Sequence, residues 1–334
     1  MFKNKCTIIV PLFNRPMHLK RLLTYYNYHK INHQLIIADS SSLENKKIAK
    51  KITSQYPNLD ILYLGSYPSD INQYHKLADA IDYAKEEYCL QMGEDDFIAP
   101  SGINYSIEFL KNNSDYTVVH GKYISFNIVK KGERYKFYWQ PIYPHDSITF
   151  PDAVTRFKYH LLNYHGTLYG VHRTDLLKKV YKDTFKYTND YRFGELLPSM
   201  LALIYGKMKC LDIFYCAREI TTNSATTSTR SIKDFLNNGS YNKKYKMFRN
   251  CLIENLNNMI QLEMTDAINL IDESMYSYLY KYNLLTSDSN FITNKYKQLK
   301  MTIKRHSKLK KLILYFKYYN HIDNIRHHVL IFCK

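Results

Sequence analysis

The sequence predicts an α/β fold built on a parallel sheet. Two observations carry that expectation. Strand-like apolar runs alternate four times with helical segments in the first 100 residues, the signal of a parallel sheet with right-handed crossovers. Polar clusters also follow three of those four runs, and ligands of open α/β sheets bind beyond the carboxyl ends of the strands.

Taken in order, residues 5–13 (KCTIIVPLF) form a continuous apolar run ending in a proline-bearing turn. Residues 15–28 follow with Met17, Leu19, Leu22, Leu23 and Tyr26 at helical spacing. Residues 33–40 (HQLIIADS) read as a second strand, stopping at Asp39-Ser40-Ser41-Ser42, which supplies turn and N-cap residues for a charged helix over 42–56. LDILYLG (59–65) is a third strand. Residues 71–87 form a third helix with Leu77, Ala80, Ile81 and Ala84 on one face, and YCLQM (88–92) is a fourth strand. That strand runs into Gly93 and three successive acids, Glu94, Asp95 and Asp96. Like charges side by side cost stability unless water or a cation screens them.

Composition bounds the answer. A chain of 334 residues with 45% apolar content holds one large domain or two, with a full core. The 33 tyrosines, against 10 glycines and one tryptophan, reflect the compositional bias of an AT-rich genome. The six cysteines form no C-x-x-C pair and no zinc-site spacing, which suits reduced, buried thiols and a cytoplasmic protein. The N-terminal apolar stretch breaks at Pro11 and Asn14, too soon for a signal peptide, and no run approaches the ~20 apolar residues of a membrane span. Of the net charge of +17, residues 295–334 contribute 11 Lys/Arg against one acid, Asp323. The basic character therefore belongs largely to a tail, which argues against nucleic acid as the partner.

No G-x-G-x-x-G follows the first strand and no G-x-x-x-x-G-K-[ST] occurs, which disfavours a dinucleotide cofactor and a P-loop. Asn14-Arg15, Asp39-Ser40 and Glu94-Asp95-Asp96 should converge at the sheet edge. Carboxylates there suit a divalent cation shared with substrate phosphates.

These residues carry a resemblance. TIIVPLFNRPMHLKRLL (7–23), IIADSS (36–41) and the stretch from Lys76 to Pro100 ending GEDDFIAP resemble, in order and spacing, the GT-A nucleotide-sugar glycosyltransferases, in a bacterial family-two-like branch whose acid motif reads D-D-D-F. The likeness covers about 1–220. The sequence departs from that motif at Glu94, and from the commoner D-x-D-D form at Gly93. The resemblance implies a GT-A domain over 1–220, with Asp95 and Asp96 as ligands of Mg²⁺ or Mn²⁺ and Asp95 and Glu94 against the ribose and diphosphate of a UDP-sugar. It also implies Asp39 at the base or ribose, Pro11, Asn14 and Arg15 as the pocket floor, and Lys76 toward a phosphate. An inverting transfer needs a carboxylate base across the sugar from the cation. Glu195, opening an apolar helix that ends at Gly206, resembles the E-D element carrying that base, and Asp190 is the runner-up.

Beyond 220, a Ser/Thr-rich loop (TTNSATTSTRS) leads into a helical extension over 221–294. The tail, 295–334, interleaves lysines with Leu, Ile, Phe and Tyr, as an amphipathic helix on an anionic membrane surface does, or a helix packed on the domain. The expectation is a cytoplasmic, peripherally attached glycosyltransferase acting on a surface-glycan precursor. Its rivals are a nucleotidyltransferase, for which PLFNRP is the wrong loop, and a non-catalytic glycan- or membrane-binding module, if the Glu94 departure marks a dead site.

Overall fold

The computed structural model describes residues 5–142, 146–188, 190–220, 240–281 and 315–333. Strands β1 (Cys6–Leu12), β2 (Gln34–Asp39), β3 (Ile61–Leu64) and β4 (Tyr88–Gln91) alternate with helices α1 (Pro16–Tyr28), α2 (Leu43–Thr53) and α3 (Gln73–Ala80). All three pairings among these strands are parallel: β1 with β2, β1 with β4 and β2 with β3. The sequence-based expectation for this half holds. β1, β2 and β4 are almost wholly buried, as strands covered by helices on both faces must be.

After the acids come β5 (Phe97–Ile98), α4 (Pro100–Asn112), β6 (Tyr116–Lys131), β7 (Arg134–Pro141), α5 (Ala153–Leu162), β8 (Val171–Arg173), α6 (Thr174–Tyr187), α7 (Tyr191–Tyr205) and β9 (Lys207–Glu219). Together these strands extend one nine-stranded sheet in the order β3-β2-β1-β4-β8-β6-β9-β5, with β7 paired to β6 outside that path. The three-residue β8 runs antiparallel to both β4 and β6, and β6 lies parallel to β9.

Helices α8 (Ser240–Asn257) and α9 (Met264–Lys281) close the helical side, where Phe248, Leu252, Ile271 and Met275 share one apolar cluster with Leu197, Met200 and Leu201 of α7. On the other side of the sheet, the helix over 315–331 buries Tyr318, Ile322, Ile325 and Val329 in the cluster that holds β1 and α1. The apolar face of that part of the tail is thus packed on the domain, while Phe316 and Tyr319 are exposed. Residues 295–314 and the Ser/Thr-rich loop lie outside the described residues. Among the described residues, no helix is long and apolar enough to cross a membrane.

Candidate active site

The loop after β1 takes its shape from Asn14, whose φ of 55° lies in the left-handed region that asparagine tolerates better than most residues. Its amide N–H donates to Ser41 Oγ at 2.7 Å, and its side-chain oxygen accepts from Ser42 N at 2.9 Å and Asn45 Nδ2 at 3.1 Å. Asn14 therefore ties the β1 loop to the start of α2. Pro11 sits within β1 opposite Ala38, past the end of β4, where Gln91 pairs with Ile9. Pro16 then fixes the first turn of α1, and Arg15 faces the other way, toward the acids.

Arg15 Nη1 donates to Asp95 Oδ2 at 2.6 Å and to Glu94 Oε1 at 3.3 Å. The first and fourth strand ends therefore do converge. Burial raises the Glu94 carboxyl above its usual range, Asp95 raises it further, and Arg15 opposes the shift.

Asp39 is fully buried; its Oδ1 accepts from Ser41 N at 2.7 Å and its Oδ2 from Tyr63 Oη at 2.6 Å. Lys76, on α3, is also buried rather than solvated. Its Nζ donates to Leu12 O at 3.1 Å and Ser40 Oγ at 2.8 Å, joining the ends of β1 and β2. Burial pulls its pKa down to about 8 against the opposing charges of Asp39 and Glu94.

Asp96 lies behind the other two acids, 2% exposed. Its Oδ1 accepts from Glu219 N at 2.8 Å, its Oδ2 accepts from Tyr169 Oη at 2.6 Å, and Arg218 Nε lies 3.5 Å from Oδ2. Burial and Asp95 raise its carboxyl, while Arg218 and the two hydrogen bonds hold the shift back. Tyr169 also accepts from Gly93 N at 3.0 Å, and Arg218 stacks on its ring. Arg21 donates to the Asp95 carbonyl at 3.0 Å and pairs with Glu219, so α1 and β9 clamp the acid turn from both sides. Of the two acids named for the cation, Asp95 presents its Oδ2 with Arg15 beside it, as does Glu94, which the resemblance places against the ribose and diphosphate, whereas both oxygens of Asp96 are bonded within the fold. Among the described residues no three His, Cys, Asp or Glu side chains are grouped to hold a metal ion alone. Two carboxylates completed by substrate phosphates nevertheless match how Mg²⁺ is held in phosphate-bearing sites.

Tyr169, Arg218, Arg21 and Glu219 were not read from the sequence. Tyr169 and Glu219 meet Asp96 across 73 and 123 residues, and no local signal marks them. Arg21 did carry one: a charge between Leu19 and Leu22 on the buried stripe of α1.

Glu195 does not open its helix. α7 begins at Tyr191, capped by Asp190, whose Oδ1 accepts from Phe193 N at 3.4 Å. The correction follows from Asp190 being the better cap, which starts the helix one turn earlier. Asp190 Oδ2 also lies 3.6 Å from Lys244 Nζ. Half-buried Glu195 borders the segment between α5 and β8: a β-carbon added to Gly166 would lie 3.9 Å from its Oε1, and Tyr164 Oη donates to its carbonyl at 3.4 Å. Three residues on, the same segment delivers Tyr169 to Asp96.

No family model matches the chain, and no curated protein matches it by sequence. Solved structures do match. The S. aureus TarS 1–349 complex with UDP-GlcNAc superposes with a TM-score of 0.54 at 15% identity, over 83% of this chain and 73% of that one. The chain shares the fold of that structure, a large mixed sheet with flanking helices. The complex of the same TarS fragment with UDP gives a TM-score of 0.50 at 14% identity, over 83% of this chain and 72% of that one. A longer TarS structure is spanned over 43% of its length.

Proposed function

We propose that the protein is an inverting, cation-dependent glycosyltransferase that moves a hexosyl or pentosyl group from a nucleotide-sugar, a UDP-sugar first among them, to a hydroxyl of a bacterial surface-glycan precursor. The observation that carries this reading is the meeting of Arg15, Glu94 and Asp95 at the carboxyl ends of β1 and β4, in a fold shared with a UDP-GlcNAc complex. Glu94 and Asp95 would hold Mg²⁺ or Mn²⁺, which when bound offsets the charge of the diphosphate. Asp96 keeps the acid turn in place through Tyr169 and Glu219. Glu195 is the base that takes the acceptor proton as the acceptor oxygen bonds to the anomeric carbon and the nucleoside diphosphate leaves with the bonding electrons. The basic tail, cytoplasmic location and attachment to the inner membrane face belong to the same proposal.

Thermal denaturation with a panel of nucleotide sugars, with and without Mn²⁺, tests it. A ligand that binds only the native state raises its stability, so at ligand concentrations about 100-fold above Kd a nucleotide-sugar should stabilise the fold by about 2.7 kcal/mol. No shift with any nucleotide or nucleotide-sugar would end the reading.

Gly93 provides a second check. A β-carbon there would fall 2.9 Å from both Asp95 Oδ1 and Tyr169 Oη, so Gly93→Ala must push aside the ends of these two side chains, Asp95 being one of the proposed cation ligands. Misplacing catalytic groups by about 1 Å costs on the order of 10²-fold. Donor hydrolysis by Gly93→Ala should fall by about that factor, and unchanged turnover would show that the placement of the Asp95 carboxylate does not matter to the reaction.

A further inference from the structure

The β6–β7 hairpin has two unlike faces. Register places Phe126 opposite Trp139 and Ile128 opposite Phe137 on one face, where Tyr315 of the C-terminal helix stacks on Trp139. On the other face Ser125 lies opposite Gln140, Asn127 opposite Tyr138, Val129 opposite Lys136 and Lys131 opposite Arg134. Ser125 also pairs with Arg218 of β9, the arginine beside Asp96, so this polar face continues from the candidate active site. β9 is described as a strand only to Glu219, opposite Phe126, while β6 runs on to Lys131. At ~3.3 Å per residue, the hairpin reaches about 17 Å past Phe126.

The hairpin end carries four basic side chains against one acid, the exposed Glu133 of the turn. Lys130, Lys131, Arg134 and Lys136 are all exposed, and none makes an ion pair among the described residues. Lys131 and Arg134 sit directly opposite each other, an arrangement of like charges that destabilises a hairpin. Tyr138 is 41% exposed on the same face, with Lys131 Nζ 5.7 Å from its ring centre.

We infer that this face binds an anionic glycan acceptor. Lys131, Arg134 and Lys136 take its phosphate or carboxylate groups, and Tyr138 packs against its sugars. The inference rests on the proposed transfer only for the word acceptor, because the track ends at Arg218 beside the acid motif. A membrane suits this face less well: the only aliphatic side chain between Asn127 and Lys131 on it is the half-buried Val129, and surface helices or loops that insert need apolar anchors.

Fluorescence anisotropy with two labelled probes, a glycerol-phosphate polymer and an oligogalacturonate, tests it and separates phosphate from carboxylate recognition. Lys131→Glu with Arg134→Glu should weaken binding of at least one probe by about tenfold or more at low salt, since it replaces two attractive charges by repulsive ones. The matched reversal Lys50→Glu with Lys51→Glu on exposed positions of α2 should change it less than twofold. The milder pair Lys136→Gln with Tyr138→Ser should weaken it in the same direction if the first variant folds poorly. UDP-induced thermal stabilisation should be the same in all variants. Equal loss in the α2 variant would reduce the effect to diffuse charge and overturn the inference, as would a loss seen only with anionic liposomes or RNA. Binding of the polymer through the hairpin by a protein that takes no nucleotide would retain the glycan site and discard the glycosyltransferase reading.

Discussion

Asp95→Asn is expected to lower transfer by about 10²–10³-fold, the usual effect of removing one preorganised electrostatic group, while the melting temperature stays within a few degrees of the parent. Asp95 Oδ2 is held by Arg15, and its neighbours Glu94 and Asp96 are both pushed toward protonation by its charge. Replacing it with a neutral isostere removes an attraction to Arg15 and relieves two repulsions, so the stability change is small. Asp96→Asn should behave differently. Glu219 N and Tyr169 Oη both donate to Asp96, and an amide nitrogen on either side would face a donor. With burial at 2% exposed, that mismatch leaves a buried donor unpaired, at a cost of about 1–3 kcal/mol. Solvent-facing positions for both aspartates would have predicted lost activity with the fold intact at each. The structure splits the pair, and turnover measured beside thermal denaturation of both variants checks the split. Equal destabilisation by the two substitutions would mean that Asp95, too, is a structural residue.

The first half of the fold was legible because its signals are local. Continuous apolar runs, a proline at the first turn of α1 and Ser42 at the N-cap of α2 each act within a few residues. The acid turn was legible for the same reason: three neighbouring carboxylates at a strand end mark a candidate site without any knowledge of their partners. β8 could not be read that way. Three residues carry no periodicity, and His172 pairs with Cys89 and Val118 only because the sheet leaves a slot between β4 and β6. What holds Asp96 is equally nonlocal, as Tyr169 and Glu219 come from segments with no feature of their own. Lys76, named for a phosphate, carries no local sign of its burial; what buries it is the crossing of α3 over the ends of β1 and β2, where two oxygens accept from its ammonium. The tail shows the opposite limit. Its interleaving of basic and apolar residues is the same whether the apolar stripe meets lipid or protein, and over 315–331 Tyr318, Ile322, Ile325 and Val329 meet protein.

Glu195→Gln is expected to leave donor affinity intact and to lower turnover by about 10²–10⁴-fold, the contribution of a general base. The substitution keeps the shape of a side chain that borders Gly166 and removes only its ability to accept a proton. In the second turn of α7, Glu195 is not the cap, so loss of its charge should cost the helix little. Asp190 has the structural duties instead: it caps α7 through Phe193 N and pairs with Lys244. Asparagine is as good an N-cap as aspartate, so Asp190→Asn should retain the helix, weaken the Lys244 pair at a stability cost of about 1 kcal/mol or less, and leave turnover close to the parent's. Single-turnover transfer and UDP-sugar binding measured on both variants separate the two carboxylates. Full turnover in Glu195→Gln with loss in Asp190→Asn would move the base to the start of the helix. Full turnover in both would leave the acceptor proton with no carboxylate on α7 to take it, and an inverting mechanism would need its base from another element.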